Sequence, residues 1–392
     1  MTRTASPING DKSNPYIVPG LFFVAAFAWF SLAGSYIMTF QENQTLFLFT
    51  GEYLHKYLLK PGGPIEYLAR FLEQFYAGTI AGPVILSVVL TLPAIILFRV
   101  NRRLVPGNNF SLPLLIIPSL FLLVMQANYY HMMEYNLGFV AVLALYLAIV
   151  SYSGKLKIIV RVILVPLLYY ITGAYFMIFL VMYFVHNLFI ERSKKRFFDS
   201  IFVLAAAAIS FLLFWKLIFL QPIQQITLSP LPLLENPFYR AVFAFLTGYI
   251  VFYPAISRAS GGIKIVRYSR RRIYPVVVTA ILSLAALFSV LRIYNPQTAR
   301  VVKLEKLVFA GKFEEAATFH EKKPSLNLIG QYFYNGALFA KPETAGKYHL
   351  HIVFQACLFN PLLQRFFYFI TFCCLTAGAA ANQQVHFIID HI

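Results

Sequence analysis

The chain alternates between long apolar runs and short stretches that are rich in arginine and lysine. A helix needs about 20 apolar residues to cross the hydrocarbon core of a bilayer. Nine runs approach or exceed this length, at residues 16–40, 79–98, 112–125, 137–152, 158–171, 174–190, 201–220, 238–257 and 274–293. The pattern predicts an all-α fold, a multi-pass transmembrane helical bundle of nine spans, or ten if a run near the C-terminus also crosses.

The basic clusters follow every second apolar run, at 99–103, 155–161, 192–196 and 258–272. Up to position 295, eighteen arginines and lysines fall on one predicted side of the membrane and six on the other. Cytoplasmic loops carry such an excess of positive charge. We therefore predict an inner-membrane protein with a cytoplasmic N-terminus.

Keeping the basic clusters on one side requires a helix break at Gly173. Without the break, residues 158–190 would form one helix of about 50 Å, much longer than a bilayer is thick. That single helix would also move the cluster 192–196 to the wrong side. The charge pattern therefore predicts two short helices that meet at Gly173.

Composition agrees with a membrane protein. Of the 392 residues 59% are hydrophobic and only 12% are charged, with a net charge of +18. A soluble domain carries roughly 25% charged residues. Because the positive charge is spread over short loops, we expect membrane lipids, not nucleic acid, as its partners.

The predicted transmembrane domain, residues 1–295, includes a long amphipathic outer loop at 41–78. Two helices are expected in this loop, at 46–59 and 65–76, with a Pro-Gly-Gly-Pro hinge at 61–64. In the second helix, aromatic and aliphatic residues recur at helical spacing opposite charged ones. That is typical of a helix lying on the membrane surface.

The segment 296–347 is more polar and predicts a short periplasmic tail of helical hairpins. Residues 307–317 form a helix, a glycine turn and a second helix, as in a tetratricopeptide-like repeat, and 339–345 contains an echo of this motif. The apolar segment 348–392 has two interpretations. It is either a further span, at about 354–380, or an unrelated end created by a reading-frame change near Lys347.

Candidate catalytic residues lie on the predicted outer face. Glu42 follows the first span, and His131 and Glu134 are spaced i, i+3 in the second outer loop. A carboxylate or imidazole here can accept a proton from a hydroxyl, and the oxygens can ligate a divalent metal. The structural alternatives are that Glu42 caps a helix and that His131 belongs to an interfacial aromatic belt.

Of the six cations on the other predicted side, three lie within a span or at its end, namely Lys216, Arg240 and Arg292. Ionisable groups in or near a span are functional candidates, and a lipid-linked phosphate or pyrophosphate would pair with them. The alternative is that their side chains reach the outer headgroups without binding a substrate. No phosphate-binding glycine loop, zinc-ligand spacing or nucleophile elbow accompanies them.

This layout resembles that of the multi-pass glycosyltransferases of the C superfamily, which use sugars linked to a lipid phosphate. The resemblance implies that Glu42 is a base or metal ligand with Glu134 as its partner. It also implies that Lys216 or Arg292 contacts phosphate. The family often has two adjacent acids in its first loop, whereas Gln41 and Asn43 flank Glu42 here.

A second resemblance rests on residues 59–74, with their Pro-Gly-Gly sequence, and on residues 299–340. These stretches are similar to an uncharacterised family of Bacteroidetes inner-membrane proteins with repeat-like tails, and imply architecture only. Two functions therefore stay open. One is a transferase that uses a polyprenyl-phosphate-linked substrate; the other is a non-catalytic scaffold that binds a periplasmic protein through 299–347. Transport is disfavoured, because the spans contain almost no acids.

Overall fold

The computed structural model describes residues 16–105, 112–151, 157–191, 194–219, 222–232, 236–262, 273–325 and 327–340. These residues form sixteen α-helices and no strand. Short 3-10 or π turns follow three of them, at Gln74–Ala77, Asn187–Glu191 and Trp215–Phe219. The helices are α1 (Ile17–Leu32), α2 (Ser35–Asn43), α3 (Gly51–Leu58), α4 (Gly63–Glu73), α5 (Ala81–Leu104), α6 (Leu112–Gln126), α7 (Met133–Ser151), α8 (Lys157–Thr172), α9 (Tyr175–His186), α10 (Lys194–Phe214), α11 (Ile223–Leu228), α12 (Pro237–Gly262), α13 (Ile273–Ile293), α14 (Pro296–Phe309), α15 (Phe313–Lys322) and α16 (Leu328–Phe339).

Among the described residues, five helices are long and apolar enough to cross a membrane, which makes the chain consistent with a membrane protein. They belong to α5, α7, α10, α12 and α13, and the bent pair α1 and α2 would raise the number to six. Helices α6, α8 and α9, which the sequence predicts as further spans, have 15, 16 and 12 residues. At about 1.5 Å per residue they are shorter than the hydrocarbon core, so the predicted number of nine to ten spans is not reached by length alone.

The first predicted span, 16–40, is not one straight helix. It is bent by 69° between α1 and α2. At the bend, a Cβ on Gly34 would lie 3.0 to 3.3 Å from atoms of Phe30 and Trp29, so the chain turns closely over these side chains. The Tyr36 hydroxyl, just after the bend, accepts a hydrogen bond from the backbone N–H of Asn295. The bend therefore brings α2 to the end of α13.

The helix break predicted at Gly173 is confirmed. Gly173 has a φ of +57°, and a Cβ there would lie 2.4 Å from the carbonyl oxygen of Ser229. Gly62, in the hinge between α3 and α4, also has a positive φ, and its N–H donates to the carbonyl of Tyr170. Both glycines pack against Pro230. Three turns that are distant in sequence therefore meet at one end of the bundle.

We call this end, with α3, α4 and the loop 127–132, the cavity end. At the opposite end, Ser257 donates a hydrogen bond to the side-chain oxygen of Asn101, and Arg258 donates to the carbonyls of Phe189 and Ile190. The sequence assigned these residues to the face opposite the outer loops. These two sets of connections therefore lie at different ends of the bundle.

Helices α3 and α4 form the predicted amphipathic loop. Thr50 caps the N-terminus of α3: its hydroxyl accepts a hydrogen bond from the Tyr53 N–H. In α4, Ile65, Ala69 and Glu73 are buried, and Leu68 on the predicted apolar face is exposed. The charged side of this helix therefore faces the protein. On its apolar side, Tyr67 and Phe71 pack against the ring of Phe47.

The chain divides into two compact units, Met1–Ala299 and Arg300–Ile392. In the second unit, Leu304, Ala316 and Ala337 form the buried core of a small helical cluster. Gly311, with a φ of +72°, makes the turn between α14 and α15 that the sequence predicted. The segment 348–392 and most of the predicted echo at 339–345 lie outside the described residues.

Candidate functional site

Four residues form a hydrogen-bonded ring at the cavity end, three through their side-chain amides and His131 through its imidazole and its backbone carbonyl oxygen. Gln41 Nε2 donates to the carbonyl oxygen of His131 at 2.7 Å, and the His131 ring nitrogen Nε2 lies 3.1 Å from Asn136 Oδ1. Asn136 Nδ2 donates to Gln126 Oε1 at 2.6 Å, and Gln126 Nε2 donates to Gln41 Oε1 at 3.3 Å. All four side chains are buried. We refer to Gln41, Gln126, His131 and Asn136 as the amide ring.

The ring joins segments that the apolar pattern keeps apart. Gln41 comes from α2, Gln126 ends α6, His131 lies in the loop 127–132 and Asn136 is in the first turn of α7. A buried amide without partners is costly, so each member depends on the others for its hydrogen bonds. The ring therefore fixes the path of the loop that carries His131.

A buried ion-pair cluster lies beside the start of α7. Arg70 on α4 contacts the Glu73 carboxylate at 2.8 Å and the Glu134 carboxylate at 3.0 Å. The other oxygen of Glu73 accepts a hydrogen bond from the backbone N–H of Met133. Helix α4 is thereby attached to the start of α7 through its charged side.

The pKa values in the cluster depend on burial and on the presence of two carboxylates for one guanidinium. Burial raises the pKa of Glu73, although Arg70 and the Met133 N–H act in the opposite direction. Burial also opposes the charge on Arg70, but the carboxylates Glu134 and Glu73 together raise its pKa. Arg70 therefore stays charged between two acids.

Three polar groups near this cluster have no hydrogen-bond partner among the described residues. They are the second carboxylate oxygen of Glu134 and the hydroxyls of Tyr76 and Tyr175. Burial raises the pKa of the Tyr76 hydroxyl well above its usual value. The Glu134 carboxyl is thus held on one side only, by Arg70.

A cavity of about 1110 Å³ opens beside the amide ring, between the loop 127–132 and the nearby ends of α12 and α13. Its walls combine aromatic rings, amides and hydroxyls with one cation. They are formed by Asn128, Tyr130, His131, Tyr135, Pro232, Asn236, Phe238, Tyr239, Phe288, Ser289, Arg292 and Ile293. Its size is at or slightly above the upper end of ordinary small-ligand sites.

Two of the predicted site residues, His131 and Arg292, line this cavity together. Burial lowers the pKa of His131 to about 4, against the effect of its hydrogen bond with Asn136, so the imidazole is neutral near pH 7. Arg292 is exposed, with its guanidinium 5.5 Å from the ring centroid of Phe288. The cavity therefore offers a neutral imidazole and a fixed positive charge.

The other predicted residues lie elsewhere. Glu42 is half-buried at the end of α2, and its neighbour Gln41 is the residue that enters the amide ring. Lys216 is exposed beside the ring of Trp215, and Arg240 is exposed on α12. Of these three residues, none is among the side chains that line the cavity. The predicted set therefore does not form a single site.

A divalent metal site would need several of these oxygen or nitrogen ligands at one point. Within the described part of the chain, no group of three or more histidine, cysteine, aspartate or glutamate side chains is placed to hold a metal ion. His131 is bonded to Asn136, and Glu134 is bonded to Arg70. Although His131 and Glu134 are spaced i, i+3, they bind two different side chains and are not placed to ligate one metal ion together.

Sequence reasoning missed most of the residues that build the site. The sequence pattern does not distinguish Gln126 or Asn136 from their neighbours, and it predicts Arg70 and Glu73 on the polar face of an interfacial helix. Buried amides at the ends of apolar helices were the available signal, because such groups need specific partners. The identity of those partners depends on contacts of up to 90 residues in sequence separation.

The known families contain a match that covers most of the chain. A family of unknown function, DUF6057, matches residues 12–345. The chain belongs to the DUF6057 family. In this DUF6057 protein, the amide ring, the ion-pair cluster and Arg292 all lie inside the matched range, and 348–392 lies outside it. No curated protein sequence and no solved structure matches the chain.

Proposed function

We propose that the chain is a membrane transferase that moves a sugar, or a similar group, from a lipid-phosphate-linked donor. The observation that carries this proposal is the 1110 Å³ cavity, in which His131 and Arg292 face the same space. A cation suits the phosphate, and tyrosine rings suit the faces of a sugar. The neutral imidazole can accept a proton from an attacking hydroxyl.

In the proposed reaction, an acceptor hydroxyl oxygen forms a bond to the anomeric carbon of the donor sugar. The bond between that carbon and the phosphate oxygen breaks, and the electron pair stays on the phosphate. The hydroxyl proton passes to His131. Arg292 stabilises the negative charge that develops on the departing lipid phosphate.

His131 is a better-placed base than Glu42, because His131 lines the cavity and Glu42 does not. Glu134 lies three residues further along but is engaged by Arg70. Its proposed role is to hold the start of α7, and with it the loop 127–132, against α4. This assignment replaces the pair of acids that the glycosyltransferase resemblance implies with one histidine and one arginine.

We further propose that the cavity end faces the periplasm and that the N-terminus is cytoplasmic. Shorter helices such as α6, α8 and α9 would then complete the nine spans within the packed bundle. The support is the charge bias in the loops, together with the separation of the two ends that the hydrogen bonds show. A lipid-linked donor in the outer leaflet would have direct access to Arg292 in this orientation.

The proposal is tested by binding of radiolabelled polyprenyl monophosphate to the purified protein in phosphatidylethanolamine nanodiscs. A hydrogen bond to a charged group contributes about 1.5 to 3 kcal/mol, so Arg292→Gln should weaken binding by roughly ten- to a hundredfold. Arg240→Gln is the matched control. It removes an exposed arginine that does not line the cavity, and should leave the affinity unchanged.

Mass spectrometry of surface glycans and lipids from cells that carry His131→Gln completes the test. Loss of one glycan or lipid modification is expected. No binding by the wild-type protein, or equal losses in both arginine variants, would contradict the proposal. An unchanged glycan profile would also count against it. If deleting residues 299–347 then removed a co-purifying periplasmic protein, the scaffold function would be favoured instead.

A further inference from the structure

We propose that the amide ring holds His131 in one tautomer, with the proton on Nε2, so that Nδ1 accepts a hydrogen bond from a ligand hydroxyl. Gln41, Gln126 and Asn136 are then positioning residues that act through His131. The role of that hydroxyl as the acceptor substrate rests on the proposed transferase function. The tautomer itself does not.

The argument begins at Gln41, whose amide orientation is fixed by the backbone. Its Nε2 lies 2.7 Å from the carbonyl oxygen of His131 and 3.1 Å from that of Tyr129. Carbonyl oxygens only accept hydrogen bonds, so this atom must be the NH₂ group. Gln41 Oε1 must therefore point towards Gln126 and accept.

The orientation of each amide group determines that of the next one in the ring. Because Gln41 Oε1 accepts, Gln126 presents its NH₂ group to Gln41 and its oxygen to Asn136. Asn136 must then donate through Nδ2, which leaves Oδ1 facing the imidazole at 3.1 Å. Oδ1 cannot donate, so His131 Nε2 carries the proton.

The four hydrogen bonds close into a circle in which each residue donates to the next. The order is Gln41 to the His131 carbonyl, the His131 ring to Asn136, Asn136 to Gln126, and Gln126 back to Gln41. Running the circle in reverse would require the His131 carbonyl to donate. One tautomer therefore satisfies the ring, and consecutive bonds in such a chain strengthen one another.

A neutral imidazole protonated at Nε2 has a lone pair at Nδ1. Among the residues that the structure describes, no carboxylate is hydrogen-bonded to the imidazole: the nearby Glu134 is engaged by Arg70, and the adjoining aromatic ring is that of Tyr135. The imidazole therefore attracts an O–H donor and offers nothing to a phosphate oxygen. Within one cavity, His131 would select a hydroxyl and Arg292 an anion.

The tautomer can be measured directly by NMR on protein labelled with ¹⁵N-histidine in lipid nanodiscs. The His131 signal is identified by its absence in His131→Gln. We expect the wild-type protein at pH 7 to show a neutral ring with the proton on Nε2. A ring protonated on Nδ1, or on both nitrogens, would overturn the proposal without the need for any variant.

Variants test whether the ring is responsible. Gln126 makes no hydrogen bond to the imidazole. Gln126→Leu should therefore give a mixture of the two His131 tautomers only if Gln126 fixes the amide orientation of Asn136, which in turn fixes the tautomer. Asn136→Leu should mix them as well. Asn101→Leu is the control, since it removes another buried amide, bonded to Ser257 at the opposite end. A single unchanged tautomer in both ring variants would refute the positioning role.

Two small probes test the ligand chemistry. Methyl glucoside, which offers hydroxyls and no charge, should shift the His131 Nδ1 resonance, and dimethyl phosphate, an anion without a hydroxyl group, should not at the same concentration. The reverse result would overturn the assignment of a hydroxyl to this nitrogen. A correct tautomer and glucoside shift combined with an unchanged cellular glycan profile would reject the transferase function while leaving this inference intact.

Discussion

Arg70 illustrates how one side chain can hold two helices together. It lies on α4, is largely buried and contacts two carboxylates, one on its own helix and one on α7. Removing one partner of a buried ion pair is costly because the remaining charge is left without compensation. Here the loss of Arg70 would leave two buried carboxylates, Glu73 and Glu134, without a counter-charge.

Arg70→Met should therefore destabilise the protein by about 3 to 5 kcal/mol, the range for breaking a buried pair. The control is Lys312→Met, which removes an exposed pair with Glu315 at the same i, i+3 spacing and should have little effect. Denaturation of both variants in detergent provides the measurement. Partial recovery in the triple variant with Glu73→Gln and Glu134→Gln would identify the stranded charges as the cause, whereas a wild-type stability for Arg70→Met would disprove it.

At the scale of the helix, the turn at Gly173 separates α8 from α9 and so determines the direction of α9. Its positive φ is unfavourable for a residue with a Cβ, and the added atom would meet the carbonyl of Ser229 at 2.4 Å. The N–H of Ala174, the next residue, donates to the same carbonyl. A side chain at Gly173 would therefore be disfavoured both by the backbone conformation and by a steric clash.

Gly173→Ala should lower the stability of the protein by at least about 1 to 2 kcal/mol, from the left-handed conformation alone. Gly248→Ala is the matched control on α12, because an added Cβ there meets no atom within 4 Å. It should be neutral or mildly stabilising, since alanine favours a helix by roughly 0.5 to 1 kcal/mol over glycine. Melting temperatures in detergent would compare the two. A Gly173→Ala variant as stable as Gly248→Ala would rule out the constraint.

Much of the helical layout could be predicted from sequence, because apolar runs and basic clusters are local signals. The turns at Gly173 and Gly311 were predicted, and the ends of α12 and α13 lie close to the predicted ones. The bend at Gly34 was not, because an apolar run looks the same whether it is straight or bent. Gln41 and Glu42 are neighbours on a helix, and only tertiary contacts decide which of them turns inward.

At the scale of the whole molecule, the orientation in the membrane can be tested at the two ends of the bundle. Lys56 on α3 and Arg102 near the end of α5 are both exposed. The loop charges predict that Lys56 lies outside and that Arg102 lies in the cytoplasm. The natural cysteines Cys357, Cys373 and Cys374 would first be replaced by serine.

In that background, Lys56→Cys should react with a membrane-impermeant maleimide in intact spheroplasts. Arg102→Cys should react only after the membrane is permeabilised. Each variant serves as the control for the other, and mass spectrometry of the purified protein reports the labelled fraction. The opposite pattern would place the cavity end in the cytoplasm and contradict the proposed access of a lipid-linked donor from the outer leaflet.

The closed circle of the amide ring also has an evolutionary consequence. Replacing Gln41, Gln126 or Asn136 alone strands the hydrogen-bonding groups of the others, whereas replacing all partners by apolar groups of similar shape can be nearly neutral. Single changes are therefore penalised and coordinated changes tolerated. Related chains should therefore inherit these positions as a unit, and covariation among the positions would mark the relatives that keep the hydrogen-bonded ring around His131.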